Sequence, residues 1–260
     1  MHLEPLQYLL GLFSGGLVGL SLGLFGGGGS ILAVPLMVYL VGVPLPQIAI
    51  GTSALAVAVN AGANLVTHAR RGNINWRCAG IYSVAGVAGA FAGSSIGKAF
   101  DGQKLLFLFA LLMMVVAVLM FRRRTATGNP DAVCTVENAP KTIGFGAATG
   151  VLSGFFGIGG GFLIVPGLVA STGMPLLNAI GSSLVAVTAF GLTTAFNYAV
   201  SGLVDWPLAA AFVAGGVGGG LIGAFAAGQI ARSRGALGSL FAALIFVVAI
   251  YMAVRSASAF

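Results

Sequence analysis

A succession of apolar stretches, interrupted only by glycine clusters, prolines and a few charges, is the feature that most limits how this chain can fold. Of its 260 residues, 58% are hydrophobic and 7% are charged. A soluble domain has about a quarter of its residues charged, so this composition excludes an ordinary water-soluble globule. It also excludes intrinsic disorder, which needs few apolar residues and many charges. The chain is therefore predicted to be an all-α, polytopic membrane protein.

Two of the apolar stretches are too short to cross a bilayer. Most reach the roughly 17–25 residues that a spanning helix needs, but 30–43 and 161–173 do not, and both contain a proline and follow glycines. At 1.5 Å per residue each covers about 20 Å, less than the ~30 Å hydrocarbon core. We expect these two to be half-helices or re-entrant segments. The ten stretches are 6–25, 30–43, 47–69, 77–97, 105–121, 142–157, 161–173, 177–200, 207–228 and 236–254.

The chain also contains an internal repeat. The offset is 130 residues over most of the chain and one residue more around the glycine clusters. The prediction is two transmembrane repeats, 1–121 and 142–260, separated by a polar cytoplasmic linker, 122–141. The matches that carry it are Gly51-Thr-Ser-Ala-Leu-Ala-Val with Gly181-Ser-Ser-Leu-Val-Ala-Val, Trp76 with Trp206, and Phe25 to Pro35 with Phe156 to Pro166.

The number of stretches and the basic residues favour repeats of opposite orientation. Five stretches per half is an odd number, and inversion puts nine Lys and Arg residues on the cytoplasmic side against three outside, whereas a parallel arrangement gives eight against four. Inverted repeats with broken segments at matching positions are typical of secondary transporters, with the substrate near the midplane between the repeats. The predicted location is the bacterial cytoplasmic (inner) membrane. The nine residues are Arg70, Arg71, Arg77, Arg122, Arg123, Arg124, Lys141, Arg232 and Arg234.

These residues resemble the sulfite exporter TauE/SafE family of membrane permeases over nearly the whole chain. The resemblance rests on the first glycine cluster through Pro35, the helix start at Gly51, and the run from Asn60 through His68 into Arg71-Gly72-Asn73-Ile74. It extends to the second-half echoes at 153–166 and 181–206. The resemblance implies a transporter of sulfite, sulfonates or other organic or sulfur-containing anions.

The glycine clusters are the first candidate site. Four consecutive glycines interrupt a helix, and the amide groups at the start of the next half-helix favour an anion, provided that they line a cavity. The alternative is close helix packing, which is the expected role of the spaced glycines Gly86, Gly89, Gly93, Gly216, Gly219 and Gly223. The candidate binding residues are Gly26, Gly27, Gly28, Gly29 and Ser30 in the first half and Gly159, Gly160 and Gly161 in the second.

Hydroxyls and amides form the second group of candidates. Paired hydroxyls follow a glycine in both halves, Thr52/Ser53 and Ser182/Ser183; they donate to an oxyanion, or they cap helices and bond back to a preceding carbonyl. A stripe of Asn60, Asn64 and His68 follows helical spacing, with Thr194 at the position of Asn64. His68 is a candidate for proton coupling or an interfacial histidine.

The positions of the acidic residues argue against a proton relay of buried carboxylates. All five, Glu4, Asp101, Asp131, Glu137 and Asp205, map to loops or segment ends, so no carboxylate relay crosses the membrane. We expect a secondary transporter working by alternating motion of the two halves, with no cofactor, no metal and no enzymatic activity. Its partners are the lipid bilayer, a small anion and a coupling ion (H⁺ or Na⁺), not nucleic acid. The alternatives are an anion channel and an intramembrane serine hydrolase using Ser14, Ser53 or Ser153 with His68.

Overall fold

The computed structural model describes residues 4–122, 134, 138–157, 161–230 and 236–257, and these residues are helical apart from short connections. Ten α-helical elements lie in these ranges, and α2 is a single turn between a 3-10 turn, Gly26–Leu32, and a π-helical turn, Leu36–Leu40. The predicted all-α class is confirmed. The helices are α1 Pro5–Phe25, α2 Ala33–Pro35, α3 Pro46–Arg70, α4 Trp76–Ala99, α5 Gly102–Arg122, α6 Ala139–Phe156, α7 Gly161–Thr172, α8 Leu176–Val200, α9 Trp206–Ile230 and α10 Ala236–Ala257.

Five of these helices are long and apolar enough to cross a membrane: α1, α3, α4, α8, and α9 over Trp206–Ala226. The two stretches predicted to be short are short here as well. α7 has 12 residues, and the stretch after the first glycine cluster changes from 3-10 through α to π geometry. Trp76 and Trp206 stand exposed at the starts of α4 and α9, as expected for aromatic side chains at the membrane surface.

Glycine faces hold two pairs of helices in close contact. α1 runs parallel to α9, so that Gly15 approaches the backbone of Phe212 and Gly19 that of Gly216. α4 pairs with α6 in the same way, through Gly150 on Gly86. A Cβ at Gly15, Gly19 or Gly150 would overlap a neighbouring backbone, which explains why small residues occupy these faces. The packing role predicted for the spaced glycines is confirmed by these contacts.

The close pairs belong to two three-helix groups. We call α1, α3 and α9 the first bundle, and α4, α6 and α8 the second bundle. Each bundle combines helices from both sequence repeats. Helices that are related by the repeat have the same position in their bundles: α1 and α6, α3 and α8, and α9 and α4. The two sequence halves are thus interleaved, because α9 is packed into the first bundle and α4 into the second. The alternating motion expected of the two halves stays a prediction.

The two bundles meet where α3 crosses α8. Gly51 lies beside Tyr198, whereas Gly62, further along α3, lies beside Thr188. Rising residue numbers on α3 thus meet falling numbers on α8, and the two helices are antiparallel. Because α3 and α8 are corresponding helices of the two repeats, this arrangement is compatible with inverted repeats. The 3-10 turn, which lies outside both bundles, packs on α7 and on α8.

Part of the predicted linker is attached to α4. Cys78, in the first turn of α4, forms a disulfide with Cys134, a pairing that the sequence did not predict because two cysteines are too few for a disulfide framework. α6 begins at Ala139, inside the predicted linker 122–141. Several arginines of the charge count, Arg123, Arg124, Arg232 and Arg234, lie outside the described residues, so the orientation in the membrane stays a prediction.

Candidate substrate-binding site

The glycine clusters are tightly packed where the structure describes them. Gly26 has a positive φ of 62° and abuts the carbonyl of Ile180, and the backbones of Gly27 and Gly161 are in direct contact. Gly29 packs on the backbone of α1, and Gly28 lies within the same 3-10 turn. Gly159 and Gly160 lie outside the described residues. Close packing therefore accounts for the described glycines, and their role in binding an anion stays a prediction.

The amide of Gly27, expected to be bare, already has a partner. Its N–H donates to Ser183 Oγ at 3.0 Å, and Ser30 Oγ donates to the Gly27 carbonyl at 2.9 Å. The glycines after α1 do not interrupt the helical conformation completely. It continues as a tightened 3-10 turn, in which amide groups bond locally. The turn thus joins the two halves, since Ser183 lies on α8.

The hydroxyl pairs make matching hydrogen bonds in the two halves of the chain. Thr52 Oγ1 accepts the N–H of Asp205 at 2.9 Å, and Ser182 Oγ accepts the N–H of Asn75 at 2.9 Å. Asp205 and Asn75 immediately precede α9 and α4. Ser53 Oγ and Ser183 Oγ bond back to the carbonyls three residues earlier, at 3.0 and 2.7 Å. Structural bonding, one of the two interpretations left open, accounts for all four hydroxyls.

The polar stripe on α3 behaves differently. Asn60, Asn64 and His68 are buried, and the two amides lie over Gly216 and Gly220 of α9. Asn64 Nδ2 donates to the Asn60 carbonyl at 2.9 Å. Both side-chain atoms of the Asn60 amide, and both ring nitrogens of His68, have no hydrogen-bond partner. The His68 ring lies near the backbone of Gly23, but without hydrogen-bond geometry.

The unpartnered groups of Asn60 and His68 lower the stability of the folded protein, so their presence needs an explanation. A buried polar group without a partner destabilises a protein by about 1–3 kcal/mol, and lipid supplies no water to compensate. Packing does not require a polar side chain here, because Phe190 corresponds to Asn60 in the repeat and lies over Gly86 in the second bundle in the same way. The amide of Asn60 is therefore a candidate contact for a polar solute rather than a packing element.

Thr194 is not brought together with the asparagines. It lies on α8 in the second bundle, one turn from Phe190, and its buried hydroxyl has no partner. The candidate residues predicted to share one midplane site thus lie in two different bundles, and the site itself stays a prediction. Four further buried hydroxyls lack partners, those of Ser14, Ser83, Ser153 and Tyr198. The sequence analysis named Ser14 and Ser153 only as serines of a hydrolase. It had no signal for Ser83, whereas Tyr198 corresponds to His68 in the repeat.

The three candidate serines and His68 do not form the active-site geometry of a serine hydrolase. Ser53 Oγ is bonded to the carbonyl of Ile50, and Ser14 and Ser153 have no hydrogen-bond partner at all. His68 likewise has none. A catalytic serine needs a hydrogen-bonded base, and none of the three candidate serines has His68 in that position.

Long apolar helices, packed through glycine faces and carrying unpartnered polar side chains in their interior, define a polytopic membrane protein. The family model for the sulfite exporter TauE/SafE matches residues 11–252, and the chain belongs to this family. The resemblance seen in the sequence is confirmed. The chain is an integral membrane protein and a membrane transporter.

Curated relatives carry the same general description. A probable membrane transporter protein from Xylella fastidiosa strain Temecula1 is 53% identical over 257 residues, covering 98% of each chain. One from Haemophilus influenzae is 35% identical and covers 75% of this chain and 74% of the relative. A third, YdhB of Bacillus subtilis, is 27% identical and covers 80% and 85%. No solved structure matches the chain.

Proposed function

We propose that this protein is a secondary transporter of a small anion in the bacterial cytoplasmic membrane. The substrate class is sulfite, a sulfonate or another sulfur-containing or organic anion, in keeping with the description of the family as sulfite exporters. The observation that carries the proposal is the fully buried amide of Asn60, whose donor and acceptor atoms are both unpartnered inside a spanning helix.

The donors available to the anion are neutral. The Asn60 amide and the His68 ring lie on one face of α3, two turns apart, and Asn64 lies between them. The nearest charge on this helix face is Arg71, whose Nη1 donates to the carbonyl of Ala224 on α9 at 2.6 Å. Neutral donors hold an anion less tightly than a buried ion pair does. A site of this kind binds and releases its ligand readily, which suits transport rather than capture.

Replacing Asn60 tests the proposal. We expect Asn60→Leu to leave the protein as stable as the wild type, or more stable, because it removes two unpartnered polar atoms and keeps the volume. The half-saturating sulfite concentration for uptake into proteoliposomes should rise at least about tenfold, the loss expected for a hydrogen bond to a charged ligand. Phe190→Leu is the matched control, since it places the same residue at the corresponding position of the other bundle, and it should retain uptake.

Two outcomes would contradict this function. Wild-type uptake of sulfite by Asn60→Leu would remove Asn60 from the site. No uptake of sulfite, ethanesulfonate or acetate by the wild-type protein would overturn anion transport itself. An anion channel is the second candidate, and unitary conductance in planar bilayers, in place of slow saturable flux, would favour it. Uptake driven by an imposed pH or Na⁺ gradient would identify the coupling ion, with His68 as the proposed proton carrier.

A further inference from the structure

The second bundle contains its own group of unpartnered hydroxyls. Ser153 on α6, and Thr194 and Tyr198 on α8, are each fully buried and have no hydrogen-bond partner. Hydroxyls close to them do have partners. Thr193, the neighbour of Thr194, bonds back to the Ala189 carbonyl at 2.8 Å, and the buried phenol of Tyr82 bonds Thr149 at 2.8 Å. Helix geometry therefore offered Ser153 and Thr194 carbonyl partners in the preceding turn that their hydroxyls do not use, and a buried tyrosine phenol can find a partner on a neighbouring helix, as Tyr82 does.

Helix packing places these hydroxyls within two adjacent turns. Phe190 of α8 and Gly150 of α6 both meet Gly86 of α4. One turn further along these parallel helices, Gly154 meets Ala90, so Ser153 and Thr194 lie at the same level of the bundle. Tyr198 is four residues after Thr194 and shares its side of the helix.

A positive charge lies next to the end of α8, one turn beyond Tyr198. Lys98, in the last turn of α4, donates to the carbonyl of Asn197, to Asn197 Oδ1 and to Ser201 Oγ, at 3.0, 2.8 and 2.9 Å. Asn197 is the direct neighbour of Tyr198, and Ser201 is one turn beyond. An anion leaving the aqueous phase would thus meet an ammonium group first and the three hydroxyls next.

The same order of groups is found in the first bundle. Arg71 lies one turn beyond His68, just as Ser201, which accepts a hydrogen bond from Lys98, lies one turn beyond Tyr198. The two cations are at opposite membrane surfaces, because Arg71 precedes α4 and Lys98 ends it. The 24 residues of α4 span about 36 Å at 1.5 Å per residue.

We propose that Ser153, Thr194 and Tyr198 form a second oxyanion-binding site, which opens at the Lys98 surface, while the Asn60 site opens at the Arg71 surface. The proposal rests on the proposed anion transport and specifies it: the transported oxyanion occupies one site on its way in and the other on its way out. The hydroxyls donate to the oxygens of the anion, and Lys98 attracts it.

Sided kinetics test this proposal. Sulfite is the probe, and its half-saturating concentration is measured at each surface in right-side-out and inside-out membrane vesicles. The double variant Thr194→Val/Tyr198→Phe removes two hydroxyls and little else. We expect it to raise the half-saturating concentration about tenfold or more at the Lys98 surface and to leave the value at the Arg71 surface unchanged. Asn60→Leu should show the opposite sidedness.

The control is Thr193→Val/Tyr82→Phe, which makes the same chemical changes at hydroxyls that already have partners. Should the double variant fail to fold, Lys98→Gln is expected to give the same one-sided increase. Equal increases at both surfaces, or an effect no larger than that of the control, would overturn the second site while leaving transport intact. Absence of sulfite flux in the wild type would overturn the proposed function, and the second site with it.

Discussion

A disulfide across the α3–α8 crossing is expected to stop transport, whereas one between α1 and α9 is expected to leave transport nearly unchanged. A Cβ at Gly62 would lie 3.8 Å from Thr188 Cγ2, so Gly62→Cys and Thr188→Cys place two thiols within bonding range. This bond joins the two bundles, which we expect to move against each other during transport, and it should therefore lower the sulfite uptake rate at least about tenfold. Reduction should restore uptake.

The matched pair is Gly11→Cys with Leu208→Cys, which lies inside the first bundle but joins different sequence halves. A Cβ at Gly11 would lie 2.6 Å from Leu208 Cδ1, and truncating the leucine relieves this contact. Both pairs are made with Cys78→Ser and Cys134→Ser, and uptake is compared before and after oxidation. If the α1–α9 bond stops transport as completely as the α3–α8 bond, the bundles are not the moving bodies.

Loss of the folded protein is expected for Gly150→Val. A Cβ at Gly150 would overlap the backbone of Gly86 on α4, and a backbone carbonyl, unlike a flexible side chain, has nowhere to move. Overpacking in a close-packed interior costs about 1–3 kcal/mol or more, a large share of the stability of a protein of this size. The measurement is the monodisperse yield after detergent extraction and the midpoint of thermal unfolding.

Gly144→Val is the control on the same helix, since a Cβ at Gly144 meets nothing within 4 Å. It adds the same side chain and the same helix-propensity change without touching α4. Equal losses for the two variants would show that the glycines of α6 act through backbone conformation, and not through close approach of the helices.

The candidate site residues show which features of the site the spacing of residues in the sequence predicted correctly. The i, i+4, i+8 spacing of Asn60, Asn64 and His68 predicted a polar face, and all three are buried with α9 glycines over the two amides. Hydroxyls of Thr52 and Ser182 looked equally promising, yet each accepts an N–H from a distant loop. Spacing reports which face of a helix a residue occupies, but not whether another part of the chain supplies a partner.

Hydrophobic length and glycine spacing determined that this chain is helical, lies in a membrane and repeats itself, because a bilayer accepts long apolar helices and little else. Only the tertiary structure decided that α9 packs with α1, and α4 with α6, so that each bundle is shared between the repeats. It also decided which polar groups stay unpartnered. Both depend on contacts between residues far apart in the chain, which no local periodicity encodes.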